Sequence, residues 1–432
     1  MNKTHLRIAV LHCGFTYSGG GERIVIEQVL GLRRRGHEVK CFAPTVSPAR
    51  SYPDLLPALK VKTFLPQLPS WVPLREALQM VAASALVPLY AWRFRSFDVM
   101  VAANQPSAWI AWCLSRILGK PYLVYLNQPN RLVHPRSVDR LTGWVANPDY
   151  RLLSWVVTKI RRFVDWADRV SVAGAAELLV NGRYIGDIIR TIYERSAHDC
   201  PAGCHVEEGY PRPTEERFEG GMVVNGFMVR RPYVLLTNRH YPQKRFDLAI
   251  LAMAEVRKHN WGAQLVIPGP ATPHTEDLKV LVAELEMGRQ VLFLGEISES
   301  ELLRLYHGAA AYVYPAPEED FGMGVIESMA CGVPVVAWDQ AGPTGTVVSG
   351  STGFLITPTS ITDYAQAIER LLADPVANQG MGRQAHARAR QFSWENHLDI
   401  LERTALAVAA GNALDPEMLS LPDRREGSHA AS

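Results

Sequence analysis

At 432 residues, with 47% hydrophobic and 20% charged side chains, the chain has the length of two or three domains and the composition of a packed globular protein. A disordered chain, a collagen-like repeat and a small disulfide-stapled scaffold are thereby excluded. The formal charge of +2 averages over a split: residues 1–220 carry 28 basic and 19 acidic side chains (+9), the remainder 17 and 24 (−7), which suggests two domains with different partners.

The N-terminal Met-Asn-Lys-Thr-His-Leu-Arg runs straight into a strand over Arg7–Leu11, so no signal peptide is read there. Next, Cys13-Gly-Phe-Thr-Tyr-Ser-Gly-Gly-Gly-Glu-Arg23 brings three glycines, Gly19, Gly20 and Gly21, to the start of a helix. Such a turn admits a phosphate to the backbone at a helix N-terminus; a glycine-rich turn without a ligand is the plainer reading. It is neither a dinucleotide fingerprint nor a P-loop. Over 24–32 the apolar positions 25, 29 and 32 oppose a polar stripe at 23, 27, 31 and 34, which predicts an amphipathic helix.

Further strands are expected over Glu38–Ala43, Asp98–Ala102, Pro121–Leu126 and Arg169–Ala173. Ala77–Trp92 is the longest uncharged apolar stretch, but it is shorter than the roughly 20 residues of a membrane span and is broken by Pro88. Arg75, Arg93 and Arg95 flank it and Trp71 and Trp92 lie at its ends, so a peripheral helix facing a membrane stays open. Trp144, Arg151, Trp155, Arg161, Arg162 and Trp166 mix aromatic and basic residues at helical spacings, either as an interface helix or as core. The basic first half has two readings as well: solvated surface, or an acceptor domain facing anionic lipid headgroups or a lipid-linked pyrophosphate. No recognised nucleic-acid module accompanies the charge.

Four of the six cysteines (13, 41, 113, 200, 204 and 331) sit in apolar segments, which suits reduced, buried thiols. His198-Asp-Cys200-Pro-Ala-Gly-Cys204-His205 invites a zinc reading, yet it lacks a second paired knuckle, and ordinary linker residues explain it better. Around 200–230 the periodicity dissolves into prolines, glycines and acids. Strands then resume over Tyr233–Thr237, Ala263–Ile267, Gln290–Leu294, Ala310–Tyr314 and Val333–Ala337. Near-continuous apolar strands alternating with helices imply two doubly wound α/β domains whose cleft holds the ligand. The expected division is 1–210, a linker over 211–230, 231–395, a helix over 396–412 able to pack back on the first domain, and a loose tail over 413–432.

Chemistry concentrates in the second half. Asn238-Arg239 and Lys244-Arg245-Phe246-Asp247 follow a strand directly, a position suited to clamping a diphosphate; a solvated charge run is the alternative. Ser298 and Glu301 have capping-box spacing. In Pro315-Ala-Pro-Glu-Glu-Asp-Phe-Gly-Met-Gly-Val-Ile-Glu-Ser-Met-Ala-Cys-Gly-Val-Pro, Phe321, Gly322 and Met323 fall at a helix N-terminus with free N–H groups. Glu319 in the loop and Glu327 in the second helical turn are placed to accept hydrogen bonds from hydroxyls at opposite ends of one ligand. A capping acid and a solvated helix residue would be the bland account of the same pair.

This segment resembles the signature of family-four retaining nucleotide-sugar glycosyltransferases of the GT-B fold, with Glu319 and Glu327 as their Glu-x7-Glu pair. Asp320 replaces the first glycine of the usual Glu-Gly-Phe-Gly, and Gly345, in Ala341-Gly-Pro-Thr-Gly345, stands where an acid is common. Ser351-Thr-Gly-Phe-Leu355 and Phe392-Ser-Trp-Glu395 match further positions, so the similarity is dense over 233–395. The glycine turn and Arg35-Gly-His-Glu-Val39 resemble mannosyltransferases that extend lipid-linked oligosaccharides.

The resemblance implies that Arg239 and Lys244 hold the donor diphosphate, Glu327 the ribose, and Glu319 with the 321–323 backbone the transferred sugar. Gly269 and Gly295 would line the base pocket, and Gly20 and Gly21 would approach the donor. Asn127 falls where many relatives carry a histidine; an amide cannot relay a proton, so either that histidine is not needed, His134 substitutes, or turnover is slow. We take the first, with the leaving diphosphate accepting the acceptor proton. GDP-mannose is the first-choice donor and a UDP-hexose the second; the acceptor is a glycan or lipid-linked hydroxyl, at the cytoplasmic face of a membrane. No cofactor and no metal are expected, as no Asp-x-Asp is present. An epimerase or a non-catalytic binding relative on the same architecture are the competing classes.

Overall fold

A computed structural model of the chain describes residues 5–69, 71, 72, 74–142, 151–206, 220–259, 262–412 and 414. Two parallel sheets form the body of the molecule. The first runs in the order β3-β2-β1-β4-β5-β6-β7, built from β1 (Arg7–His12), β2 (Glu38–Ala43), β3 (Lys62–Thr63), β4 (Val99–Ala103), β5 (Tyr122–Leu126), β6 (Glu177–Val180) and β7 (His198–Asp199). The second follows an antiparallel hairpin of β8 (Gly221–Val224) and β9 (Phe227–Arg230). Its order is β12-β11-β10-β13-β14-β15, from β10 (Tyr233–Leu235), β11 (Gln264–Pro268), β12 (Val291–Gly295), β13 (Ala311–Tyr314), β14 (Val335–Trp338) and β15 (Gly353–Ile356). Every residue of β4, β5, β13 and β14 is buried, as helices on both faces of a parallel sheet require. Strand order reverses between β1 and β4 and between β10 and β13, and these two switch points face the cleft.

Nine of the ten expected strands have counterparts, and the exception is instructive. Arg169–Ala173 is the last turn of a helix, Arg151–Ala173, and the strand is β6, a few residues later. Ala167, Asp168, Ser171 and Val172 are the buried positions, a spacing of one helical face. The short apolar run was that face reaching the core, which periodicity over five residues cannot separate from a strand. Residues 221–230, assigned to the linker from sequence, instead form the β8–β9 hairpin. Its turn is Asn225-Gly226 with φ of 47° and 81°, the conformation that Asn-Gly favours, and Asn225 Nδ2 donates to Leu294 O at 2.7 Å. Trp144, residues 207–219 and the tail beyond Leu414 lie outside the described residues, as do the side chains of Arg151 and Trp155.

The amphipathic helix runs Gly20–Arg34, but only Arg34 of its polar stripe is exposed. Glu27 and Gly31 are buried, because the last helix, Trp394–Ala410, crosses back from the second domain and lies on this face. A Cβ on Gly31 would stand 2.2 Å from Leu398 Cδ1, so only glycine permits the approach. Around it, Gln28 Nε2 donates to His397 Nε2 at 3.1 Å, and Arg35 pairs with Glu395, Asp399 and Glu402 at 2.7–2.8 Å. Leu6 N donates to His37 Nδ1, leaving His37 Nε2 to donate to Glu402 Oε1 at 2.8 Å. Ser298 caps the Glu299–Gly308 helix with the reciprocal bonds its spacing predicts.

Candidate functional site

The carboxyl ends of β1 and β5 meet those of β10 and β13 across the cleft, and two helix N-termini face each other there. Gly20–Arg34 opens the first domain's side and Met323–Ala330 the second's. A Cβ on Gly20 would lie 3.0 Å from Met323 Sδ, and one on Gly21 would lie 3.2 Å from Asn127 Nδ2. Gly20, Gly21, Asn127 and Met323, far apart in sequence, therefore converge. Gly322 takes φ of 88° as the N-cap, turning the chain so that the first backbone N–H groups of the helix point into the cleft. Phe321 contributes only its backbone, since its ring is buried against Phe392.

Two basic groups reach this point from the loop after β10. Lys244 Nζ donates to Glu319 Oε2 at 2.6 Å. Burial raises the Glu319 carboxyl, but Lys244 and Arg136 outweigh it and hold it below the usual carboxylate range. Arg239 Nη2 crosses to the glycine turn and donates to Ser18 O at 2.8 Å, its guanidinium 3.9 Å from the centre of the Tyr17 ring. Glu327 accepts from Tyr306 Oη at 3.0 Å, within a hydroxyl network in which Thr237 Oγ1 lies 2.9 Å from Tyr306 Oη and 2.8 Å from Tyr312 Oη. Burial pushes the Glu327 carboxyl up against the opposing Tyr306 bond. Gly269 and Gly295 end β11 and β12 side by side, Gly269 N donating to Gly295 O at 2.8 Å.

Asn127 is 9% exposed, and its side-chain Oδ1 and Nδ2 have no partner among the described residues. Its backbone N–H is held by Asn104 Oδ1 at 2.8 Å. Burying an amide without partners costs about 1–3 kcal/mol. His134 goes elsewhere: its Nε2 lies 3.4 Å from Asp165 and 3.6 Å from Asp168 on the Arg151–Ala173 helix.

Several site groups escaped the sequence reading. Arg131 forms an ion pair with Asp320, and Arg136 Nη1 lies 3.8 Å from the same carboxylate and donates to Glu318 O at 3.1 Å. Glu318, with φ of 49°, accepts from Ser137 Oγ at 2.8 Å and Val138 N at 3.2 Å, capping a first-domain helix, Ser137–Thr142, from the second domain. The replacement of glycine by Asp320 was visible in the sequence; only the fold identifies its cationic partners. At the end of β1, His12 Nε2 lies 3.9 Å from Glu22 Oε1, both buried. Burial opposes charging His12, but Cys13 and Glu22 prevail and raise it to about 10.

The zinc candidates disperse. Cys200 Sγ contacts His397 at 3.5 Å, Cys204 Sγ donates to Phe392 O at 3.3 Å, and His205 Nε2 lies 3.6 Å from Glu27. Among the described residues no group of three His, Cys, Asp or Glu is placed to hold a metal, and no helix is long and apolar enough to cross a membrane.

The comparisons agree with this architecture. The model for group 1 glycosyl transferases matches residues 222–388 and that for glycosyltransferase family 4 matches residues 18–192. Alpha-1,3/1,6-mannosyltransferase ALG2 of Homo sapiens is 25% identical over 410 residues, covering 89% of this chain and 92% of its own. D-inositol 3-phosphate glycosyltransferase of Acidothermus cellulolyticus is 33% identical over 174 residues, 38% of this chain and 39% of its own. Among solved structures, sucrose-phosphate synthase from Thermosynechococcus elongatus superposes with a TM-score of 0.72 at 20% identity, over 94% of this chain and 100% of that one. Anabaena HepE in complex with UDP-glucose gives a TM-score of 0.66 at 18% identity, over 92% of this chain and 98% of that one. Two matched family models, one on each side of a cleft between two Rossmann-like sheets, make this chain a family-four glycosyltransferase of the GT-B fold, resembling mannosyltransferases.

Proposed function

We propose that the protein transfers a hexose, with retention, from a nucleotide diphosphate sugar to a hydroxyl of a glycan or lipid-linked acceptor. Mannose from GDP-mannose is the first reading, supported by the mannosyltransferase relatives; the UDP and UDP-glucose complexes among the structural neighbours support a UDP-hexose as the second. The observation that carries the proposal is the convergence of Lys244, Arg239 and the two helix N-termini on one point beside Glu319 and the unpartnered Asn127 amide.

In this reading Arg239, Lys244 and the N–H groups of 321–323 neutralise the diphosphate as the bond to the sugar breaks. Glu327 accepts from the ribose hydroxyls, and Gly269 and Gly295 border the base. Glu319, kept ionised by Lys244 and Arg136, accepts from hydroxyls of the transferred sugar. The acceptor oxygen forms its new bond on the face the diphosphate leaves, and a leaving phosphate oxygen takes the acceptor proton. Asn127 hydrogen-bonds the sugar or the acceptor and need not move a proton. No metal is required, because cationic side chains and helix dipoles supply the positive field. The lipid-linked version acts at the cytoplasmic face of a membrane.

Incubation with labelled GDP- and UDP-sugars, with and without acceptor, tests the reading, and the anomeric configuration of the product tests retention. Nucleotide release that depends on acceptor and survives EDTA is expected. Absence of release with every donor overturns it. Release without acceptor, accompanied by an epimerised sugar, would favour an epimerase that uses the buried His12–Glu22 pair.

A further inference from the structure

The segment 71–94 is apolar on its outward side as well as on the side it buries. The helices Arg75–Ala85 and Val87–Tyr90 and the 3-10 turn Ala91–Phe94 bury Gln79, Ala83, Val87, Tyr90 and Phe94 against the first domain. Even the polar Gln79 faces in, accepting from Leu68 N at 2.9 Å and donating to Pro66 O at 2.7 Å. Outward stand Leu74 (57% exposed), Leu78 (50%), Val81 (65%), Leu89 (67%) and Trp92 (63%), with Trp71 at 79% before them. A soluble surface helix turns polar residues outward, and a contiguous exposed apolar stripe of this kind marks an interaction surface.

The stripe continues sideways. Trp109 Nε1 donates to Ser84 O at 3.0 Å, and its ring centre lies 6.1 Å from that of Phe163 and 5.9 Å from that of Trp166, which are 57% and 47% exposed. Its border is cationic: between residues 60 and 97 stand Lys60, Lys62, Arg75, Arg93 and Arg95 against the single acid Glu76, which is taken up by Arg50 at 3.3 Å. Lys62, Arg93 and Trp92 share one hollow beside the sheet edge. At the other end, a small groove lined by Thr16, Thr45, Ser47, Gln67, Arg75 and Glu76 lies at the foot of the stripe. Thr45 Oγ1 in that groove is buried without a partner among the described residues.

We infer that this stripe docks the first domain onto an anionic lipid bilayer, Trp71, Leu74, Leu78, Val81, Leu89 and Trp92 entering the headgroup boundary while Lys60, Lys62 and Arg95 meet lipid phosphates. A bilayer fits better than a protein partner because indoles at the ends of an apolar stripe with basic residues at its border are the chemistry of a membrane interface. The purpose of the docking rests on the proposed lipid-linked acceptor; its existence rests on the stripe alone.

Co-sedimentation of the full chain with vesicles of phosphatidylcholine, with and without phosphatidylglycerol, tests the inference at low salt. The wild type should pellet with the anionic vesicles. L78S/V81S/L89S should lose that binding, and K62Q/R95Q should weaken it about 25-fold, from roughly a factor of five per basic residue. Both variants should keep the wild-type melting temperature and nucleotide release with a water-soluble acceptor, since none of these side chains lies in the cleft. The inference is overturned if the wild type ignores anionic vesicles, or if the variants bind as it does. A dimer in sedimentation equilibrium that L78S/V81S/L89S breaks would also overturn it, giving the stripe to a second copy. Vesicle binding with no glycosyl transfer to any acceptor would instead count against the proposed function and leave the docking intact.

Discussion

Replacing Asp320 by asparagine should loosen the closed cleft without touching the helix that presents Glu327. The Asp320 side chain is 12% exposed, and it draws Arg131, 17% exposed, and Arg136, 18% exposed, across from the first domain. Burial raises its carboxyl to about 6 despite both arginines, so the attraction does not fully repay desolvation, yet the group is ionised at pH 7.5. Asparagine leaves Arg136 with Asp139 at 2.9 Å but deprives Arg131 of its ion-pair partner. Losing one charge-assisted hydrogen bond across the interface is worth about 1.5–3 kcal/mol, or about ten- to hundredfold in the closed population. We expect kcat/KM at pH 7.5, measured as nucleotide release, to fall by that factor in D320N and in R131A. The double variant should fall little further, because both substitutions remove one interaction. Independent, additive losses, or wild-type activity in D320N, would refute the latch.

Lys244→Ala removes the partner of Glu319 and one of the proposed diphosphate cations; kcat should drop about 10²–10³-fold, and GDP or UDP should raise the melting temperature less than in wild type. Asn127→Ala should divide kcat/KM by about ten while raising the melting temperature slightly, since an unpartnered buried amide is removed. A melting temperature lowered as far as activity would contradict that account. Gly31→Ala places a methyl against Leu398 and should cost about 1–3 kcal/mol in chemical denaturation, with Leu398→Ala relieving part of it. Burial raises the Glu402 carboxyl, but His37 and Arg35 prevail and lower it below 4.5. A lowered carboxylate contributes stability that is complete above 4.5 and is lost as pH falls through the folded value. Glu402→Gln should therefore reduce the melting temperature at pH 7 and flatten its fall at acid pH, and an unchanged acid slope would exclude this pair as a source.

The chain's own letters determined what local physics can carry. Doubly buried parallel strands write themselves as short apolar runs, and Ser298 with Glu301 announces a helix start within four residues. The segment from Glu319 to Glu327 likewise holds its loop, helix N-terminus and paired carboxylates in one stretch. Where a pattern was short, as at Arg169–Ala173, a helix face and a strand look alike, and where a turn signal such as Asn225-Gly226 sat among glycines and prolines, the hairpin was absorbed into a linker.

Everything depending on who lies opposite belonged to the tertiary structure. The stripe at 23, 27 and 31 reads as solvated until His205, Glu299 and the last helix cover it; Ala77–Trp92 reads as apolar without saying which side faces out. Arg131 and Asp320 stand 189 residues apart, as Lys244 and Glu319 stand 75 apart, so no window along the chain contains both partners. The side chains that make chemistry possible were legible one at a time; their pairing is a property of two sheets closing on a cleft, and only folding brings those charges within reach of each other.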